Sequence, residues 1–558
     1  MRIIKKYIRG IAFPILNFVS YIKRRYQTLA MRFLYSKGRE VDEHSESTLF
    51  WIPGGMPGML QLETVIAGAL KLRGNQVHAV ICDGVFSACV RREITDQVPI
   101  HEWKKSCNAC KNDCAKVLDT MGIPFSYIGD HVTQDVLSEL KKASRKVTWE
   151  SLNSLSFQGL NIGNNVRSAI LRFLKGYEIP NDESLVQEYA FSGLVCAAAS
   201  KRIIEETKPS RIFMSHGVYV DWGPALHNAL AKKVPVTAWM ASYLPACFYF
   251  RHVEDGVNID FHNMSAKAWD EVKDSQFTNE QSERLGQFLE GRYKRDASFD
   301  MKRFKPFTGG GSELRHKYQF DSAKPLWGVM AHINWDTVSD YSPMVYESFN
   351  QWMNDTIRVI KDIRDVQWVI KVHPAESWDN PESGVEFLIK KYFPDLPGHV
   401  RVLPAEENIN PLDFFNMVDG GVTVYGTSGL ELALHGKPVI LAGEAHYGRK
   451  GFTYDANSKE HYRELLSQVI HIPSLSEDQI ALAKKYAYCS FVQRQIPIAV
   501  VKDPKSKWWN FQFDKKELLL EGRDPVIDFI CEKTFDRTDF IMDEHLLALT
   551  EKNMELKA

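Results

Sequence analysis

The sequence predicts an α/β protein with two doubly wound domains that face each other across a cleft. Three observations indicate this class. Apolar strands alternate with amphipathic helices in two separate series, a stretch rich in Lys, Arg and Gly connects the two series, and no internal repeat is evident. The chain has 558 residues, of which 44% are apolar and 25% charged. This composition is typical of globular proteins and excludes disordered, collagenous and multi-span membrane proteins.

Residues 1–45 form a basic segment that differs from the rest of the chain. Residues 1–40 contain ten lysines and arginines and one acid, Glu40, whereas the whole chain has a net charge of −1. The apolar stretch at residues 11–22 is too short to cross a bilayer, which requires roughly 20 apolar residues. We expect an amphipathic anchor on an anionic membrane surface, at the cytoplasmic face of the cell membrane. A basic helix packed on its own protein, or a cleaved signal peptide, is the alternative.

The first α/β series is predicted at residues 46–300. Its elements are strand 48–53, helix 59–73, strand 76–82, strand 211–215, helix 224–232 and strand 234–239. A glycine-rich turn, GGMPG at residues 54–58, follows the first strand. The turn does not match G-x-G-x-x-G, and no acidic residue ends the second strand in a ribose-binding context. A dinucleotide site is therefore disfavoured.

A linker is predicted at residues 301–324, the second α/β series at residues 325–500, and a helical tail at residues 501–558. The predicted elements of the second series are strand 325–332, helix 344–363, strand 366–372, strand 400–403, strand 419–425, helix 428–435 and strand 437–442. The near-neutral charge of the whole chain gives no indication of a nucleic-acid partner.

A cluster of cysteines could bind a metal. Cys107, Cys110 and Cys114 have the spacing C-x2-C-x3-C, and Cys89 precedes them. Four thiolates could close a tetrahedral structural zinc site, although the second pair lacks the usual C-x2-C spacing. Unligated cysteines beneath a loop are the alternative interpretation.

Ligands of open α/β sheets bind at the carboxyl ends of the strands. In the second series, polar loops follow four strands, at residues 332–336, 373–376, 425–429 and 443–447. Thr427 and Ser428 begin a predicted helix, where free N–H groups and the helix dipole favour a phosphate. The two side chains could equally cap the helix. Glu431, one turn later, could reach a ribose.

Three motifs together resemble the bacterial capsule polysaccharide biosynthesis family. They are HPAE at residues 373–376, GTSGLELALHGKPV at 426–439 and GEAHYGRKGFTYD at 443–455. Members of the family are GT-B glycosyltransferases with two Rossmann-like domains, and some transfer Kdo from CMP-Kdo. The loop at residues 334–336 also resembles the family, and the resemblance covers about residues 325–460.

The resemblance implies a binding site for a nucleotide-activated sugar in the second domain. Its phosphate would contact His373 and the turn at residues 427–429. The complete donor-binding set that we expect is His373, Pro374, Thr427, Ser428, Gly429, Glu431, Asn334, Asp336 and Tyr447. Glu431 enters this set by its position on the helix more than by the motif. We expect His373→Ala and Glu431→Ala to abolish transfer and to leave the fold intact.

The catalytic base should lie in the first domain, within reach of the acceptor hydroxyl. Asp221 and His216 both follow strand 211–215, and Asp221 is slightly preferred. Asp221 could instead cap a helix that begins at Pro224. No D-x-D motif is placed to hold a nucleotide-bound cation, so we expect catalysis without an essential metal or other cofactor. His373 and Arg449 would neutralise the leaving phosphate.

These observations favour a glycosyltransferase that transfers a sugar from a nucleotide-activated donor. The expected acceptor is a lipid-linked or growing cell-surface polysaccharide of the capsule or O-antigen type. One alternative is a CDP-polyol phosphate transferase. The other is a non-catalytic GT-B scaffold in polysaccharide assembly.

Overall fold

The structure of the protein is a computed structural model. It describes residues 20–41, 45–54, 57–91, 102–175, 183–254, 256, 258–294, 310–336, 340–378, 384–407, 409–502 and 510–555. The first nineteen residues of the predicted basic segment, part of the GGMPG turn and residues 301–309 of the predicted linker lie outside these ranges.

The strands alternate with helices along most of the described chain. In chain order the strands are β1 (Ser47–Ile52), β2 (Gln76–Ile81), β3 (Phe125–Tyr127), β4 (Ser156–Phe157), β5 (Leu160–Asn161), β6 (Arg211–Ser215), β7 (Val236–Ala241), β8 (Cys247–Val253), β9 (Leu326–Met330), β10 (Gln367–Lys371), β11 (Val400–Leu403), β12 (Gly420–Thr423), β13 (Val439–Leu441), β14 (Tyr454–Asp455), β15 (Ile496–Pro497), β16 (Val501–Lys502) and β17 (Asn510–Phe511).

The helices cover both faces of the two large sheets. They span residues 20–35, Pro57–Leu72, Trp103–Met121, Gln134–Ser144, Gly163–Leu174, Glu183–Thr207, Tyr219–Ala231, Ala266–Asp274, Asn279–Lys294, Gly311–Lys317, Phe349–Ile360, Gly384–Tyr392, Pro411–Met417, Thr427–Leu434, Lys459–Ser467, Glu477–Tyr488, Pro525–Asp536 and Glu544–Glu555.

The first sheet has the order β15-β8-β7-β6-β1-β2-β3. The five strands from β7 to β3 are parallel, whereas β8 and β15 add antiparallel pairs at one edge. Strands such as β1 are buried almost throughout, because helices cover both faces of a parallel sheet.

The second sheet has the order β11-β10-β9-β12-β13-β14, and all its strands are parallel. Numbered within the sheet, this is the Rossmann order 3-2-1-4-5-6. The direction of winding reverses between β9 and β12, and ligands bind doubly wound sheets at this point. The loops that follow β9 and β12 are therefore the first place to look for a site.

The C-terminal segment returns to the first half of the protein. Strand β15 pairs with β8, so the chain has rejoined the first sheet before the boundary predicted at residue 500. Buried Arg494 holds this return by donating to the Phe261 carbonyl over 2.8 Å. The helix Pro525–Asp536 is tied to the first half by the Arg73–Asp528 ion pair.

One continuous hydrophobic core joins the two halves. It includes Phe213 and Trp239 from the first sheet, Leu326 and Leu430 from the second half, and Tyr486 from the returning segment. Two further cores fill the outer faces of the sheets. Two Rossmann-like domains thus face a shared cleft, which confirms the GT-B-like fold class predicted from the sequence.

The described part of the basic segment forms a helix over residues 20–35. Met31 and Leu34 are fully buried against the first domain, and the Tyr35 hydroxyl donates to the Met121 carbonyl over 2.6 Å. Among the described residues, no helix is both long enough and apolar enough to cross a membrane.

Candidate functional site

A cavity of about 270 Å³ lies between the two domains, at the reversal point of the second sheet. The first domain contributes Tyr243 and Arg292 to its wall. The second domain contributes Met330, Ala331, His332, Lys371, Val372, His373, Pro374, Pro411, Phe414, Phe415, Thr423, Gly426, Thr427, Ser428 and Glu431. Five residues predicted to bind a donor therefore line one cavity: His373, Pro374, Thr427, Ser428 and Glu431.

The floor of the cavity is the start of the helix Thr427–Leu434. Gly426 is the N-cap residue, and no side-chain hydrogen bond caps this end among the described residues. The structure therefore does not support the alternative that the Thr427 or Ser428 side chain caps this helix. The first N–H groups of the helix and its dipole favour a negatively charged group at this position.

Tyr447 and Gly429 shape this turn from behind. The Tyr447 side chain is fully buried, and its hydroxyl donates to the Gly426 carbonyl over 2.6 Å. A Cβ atom at position 429 would come within 2.1 Å of the Tyr447 hydroxyl oxygen, so the close approach requires glycine. Both residues support the cavity, and neither is among the side chains that line it.

Hydrogen bonds define the ring tautomers of two histidines in the cavity wall. The Nδ1 atom of His373 accepts a hydrogen bond from the Ala375 N–H over 3.1 Å, which places the ring proton on Nε2. His373 can therefore donate to a phosphate from Nε2. The Nε2 atom of His332 accepts from the Tyr425 N–H over 3.1 Å. Burial, with a smaller contribution from His373, lowers the pKa of His332 to about 3, so His332 is neutral.

Lys371 gives the cavity its positive charge. It is the last residue of β10 and lies two positions before His373, and both residues line the cavity. Burial lowers the pKa of Lys371 to about 8, because the low-dielectric surroundings disfavour the ammonium form. A bound phosphate would offset this penalty.

An ion pair connects the two domains at the cavity wall. Arg292 donates to the Oε1 atom of Glu431 from Nη2 over 2.9 Å and from Nε over 3.2 Å. Both side chains are buried. Beside this pair, the Tyr243 and Thr427 hydroxyls lie 2.9 Å apart. The pair fixes the Glu431 carboxylate where a ribose hydroxyl could meet it.

The structure places Asn334 and Asp336 away from the cavity wall. The Asn334 amide contacts Asn350, whereas Asp336 accepts from the Tyr219 hydroxyl of the first domain over 2.9 Å and pairs with Arg172. Asp336 therefore makes a contact between the domains. Tyr219 has a φ of +66°, an uncommon conformation for a residue that is not glycine.

Neither candidate base lines the cavity. Asp221 is 1% exposed, and its Oδ2 atom accepts from the Val90 N–H over 3.3 Å within the first domain. It does not cap a helix at Pro224, because the helix already begins at Tyr219. Burial lowers the pKa of His216 to about 3, which makes the imidazole a weak base at neutral pH. The identity of the base stays a prediction.

The four cysteines of the predicted zinc site form no disulfide among the described residues. In the described residues, the one group of three or more side chains close enough to hold a metal is Asp260, His262 and His446. Among the described residues, the four cysteines are not close enough together to form such a metal-binding group. Cys107, Cys110 and Cys114 lie on one helix, and Cys114 is buried, where an apolar environment disfavours a thiolate.

Among the residues of the cavity that were not predicted as site residues, four carry a charge, an imidazole or a phenol: Lys371, His332, Arg292 and Tyr243. The sequence could have indicated Lys371. Side chains two positions apart along a predicted strand point to the same side of the sheet, and Lys371 lies two positions before His373. His332 stands in one of the polar loops that follow strands. No sequence pattern indicates that Arg292 and Tyr243 belong to the cavity, since they lie far from the second domain in sequence.

Comparisons with known proteins agree with the motifs. Residues 345–473 match the model of the family described as capsule polysaccharide biosynthesis protein, which confirms the resemblance over this part of the chain. The matched range contains Lys371, His373 and the helix start at Thr427. A search of curated proteins gave no match.

Several solved structures share a general similarity. Thermosulfurimonas dismutans KpsC, beta Kdo 2,4 transferase, is 15% identical, with 56% of this chain and 87% of that chain covered at a TM-score of 0.32. The beta Kdo 2,7 transferase of the same organism is 15% identical, with coverages of 51% and 79% and a TM-score of 0.30. The S. aureus MnaA–UDP structure is 12% identical, with coverages of 89% and 99% and a TM-score of 0.26. Similarities this low do not transfer a function to this chain.

Proposed function

We propose that the protein is a glycosyltransferase that takes a sugar from a nucleotide-activated donor and adds it to a polysaccharide of the capsule type. The observation that carries the proposal is the cavity. Lys371, His373 and the start of the helix Thr427–Leu434, which no side chain of the described residues caps, converge on one space between two Rossmann-like domains. These are three independent means of binding a phosphate.

The charges in the cavity suit a nucleotide phosphate. Glu431 offsets the charge of Arg292, so Lys371 is left as the net positive group. The same groups would stabilise the phosphate as it leaves the sugar, because they are fixed before the reaction begins. The volume of about 270 Å³ is near the lower end of ligand pockets, which measure roughly 300–1,000 Å³. It would hold the phosphate and ribose, with the sugar directed into the cleft.

A screen of nucleotides and labelled donors tests this function. We expect CMP, CDP, UDP or GDP to raise the melting temperature, and His373→Ala to remove most of the shift and the transfer activity. Transfer of a labelled sugar without its phosphate would support the proposal. Transfer of a polyol together with phosphate would identify a CDP-polyol phosphate transferase instead. No response to any nucleotide would favour a non-catalytic scaffold.

A membrane surface is the proposed site of action. On the helix at residues 20–35, the exposed side chains Ile22, Tyr26, Leu29 and Phe33 are spaced by four, three and four residues, which aligns them on one helix face. They are 51–67% exposed, and the opposite face packs on the protein through Met31 and Leu34. An apolar stripe flanked by basic residues matches an interfacial anchor.

Vesicle sedimentation tests the anchor. We expect the full-length protein to pellet with vesicles that contain anionic lipid, and Tyr26→Glu to weaken this binding at least tenfold, because a carboxylate enters the apolar stripe and faces the anionic headgroups. Tyr392→Glu is the matched control, since Tyr392 is 56% exposed on the second domain. Equal pelleting of both variants would contradict a membrane-bound stripe.

A further inference from the structure

We propose that Asp260, His262 and His446 bind a divalent transition-metal ion that joins the two domains behind the donor cavity. One ligand atom from each of the three side chains lies within 4.8 Å of the others. Asp260 and His262 follow β8 of the first domain, whereas His446 follows β13 of the second. None of the three lines the donor cavity, so the ion would have a structural role and would not contact the donor phosphate.

A hydrogen bond holds the His446 ring in the tautomer that can bind a metal ion through Nε2. The Tyr486 hydroxyl donates to the His446 carbonyl over 2.6 Å and therefore accepts from the ring, whose Nδ1 atom is 3.0 Å away. The ring proton thus belongs on Nδ1, and Nε2 keeps a lone pair. The His446 side chain is 2% exposed, and its Nε2 atom has no hydrogen-bond partner in the described structure. A buried acceptor without a donor is costly, and a metal ion would satisfy it.

His262 and Asp260 lie close enough to share one ion. The Nδ1 atom of His262 lies 2.8 Å from the Asp260 Oδ1 atom, and the Tyr341 hydroxyl donates to the same oxygen over 2.7 Å. A divalent ion would take the place of the proton in the contact between His262 and Asp260, so that His262 would bind through Nδ1 beside the Asp260 carboxylate. The two imidazole rings are 4.9 Å apart between centroids.

The donor set selects the class of metal. Two imidazole nitrogens and one carboxylate suit Zn²⁺ and its neighbours, whereas Mg²⁺ and Ca²⁺ prefer oxygen ligands alone. Contacts connect both sides of the metal site with the turn at residues 426–429 in the cavity. The His262 ring stacks on Tyr243, with centroids 5.3 Å apart, and the Tyr243 hydroxyl meets Thr427. Tyr447, next to His446, holds the Gly426 carbonyl.

Metal analysis of the full-length protein tests the site. The protein is incubated with Zn²⁺ or Co²⁺, freed of unbound metal by gel filtration, and analysed for metal content. We expect about one ion per chain, as for a structural site. His446→Asn should abolish this binding, because asparagine can replace the Nδ1–H donor but has no atom at Nε2. His471→Asn is the matched control at an exposed histidine and should bind as the wild type does.

Three further measurements distinguish this site from the cysteines and from misfolding. Tyr486→Phe leaves all three ligands in place and should weaken binding by about 10–100-fold, as loss of an orienting partner does. The triple variant Cys107→Ser/Cys110→Ser/Cys114→Ser should keep the ion. The Co²⁺ spectrum of the wild type should lack thiolate charge-transfer bands. Such bands, loss of the ion in the triple variant, or no ion in the wild type would overturn the proposal.

Discussion

Replacing Lys371 by methionine is expected to weaken nucleotide binding by about 100-fold, because a charge-assisted hydrogen bond to phosphate contributes roughly 1.5–3 kcal/mol. The same change should stabilise the protein without ligand by about 2 kcal/mol, because methionine does not bear the cost of burying an ammonium group. Titration calorimetry with the nucleotide found in the screen, and thermal unfolding without it, measure the two effects. Lys361→Met, at an exposed position, is the matched control and should change neither.

The effect of Lys371→Met on protein stability depends on pH in a defined direction. The pKa of Lys371 is about 8 in the folded protein and 10.5 in its ordinary range. Between these values the unfolded chain binds more protons, so the stability of the wild type rises with pH relative to the methionine variant. Below pH 8 the difference in stability is constant. Nucleotide affinity should fall above pH 8, as Lys371 loses its proton. A difference in stability that is the same at pH 7 and pH 10 would show that Lys371 is not the buried cation.

Nine strands of the two large sheets could be predicted closely from the sequence, whereas β3, β8, β14 and β15 were not predicted. The strands predicted at residues 211–215 and 400–403 have the same bounds in the structure. Strands of a parallel sheet that is covered on both faces are short apolar runs between polar loops, so their ends are visible in the sequence. The same pattern located the loops after β10 and β12, and with them His373 and Thr427.

Features that depend on distant contacts could not be predicted in this way. The helix that contains Asp221 begins at Tyr219 and not at Pro224, because Asp340 of the second domain accepts a hydrogen bond from the Tyr219 N–H over 2.6 Å and caps the first turn. The return of β15 to the first sheet is a pairing of only two residues with β8. Neither leaves a local pattern that periodicity could detect.

The pairing of Glu431 with Arg292 changes what a substitution at Glu431 should do. The expectation that Glu431→Ala leaves the fold intact assumed a carboxylate that meets only the donor. In the structure Arg292 is 7% exposed and loses its ionic partner in this variant. An unpaired buried charge costs about 3–5 kcal/mol, so Glu431→Ala should lower the stability by that amount, and its loss of activity alone would not establish a role in ribose binding.

The double variant Glu431→Ala/Arg292→Met separates the role of Glu431 in the ion pair between the domains from its role in nucleotide binding. Methionine removes the buried charge and keeps most of the side-chain volume, so we expect the double variant to recover most of the stability lost in Glu431→Ala. Nucleotide binding should stay weak, because the carboxylate that would hold the ribose is still absent. Glu205→Ala, which breaks an exposed ion pair with Lys232, is the control and should cost at most about 1 kcal/mol. If the double variant bound nucleotide as tightly as the wild type, Glu431 would serve the interface between the domains and not the donor.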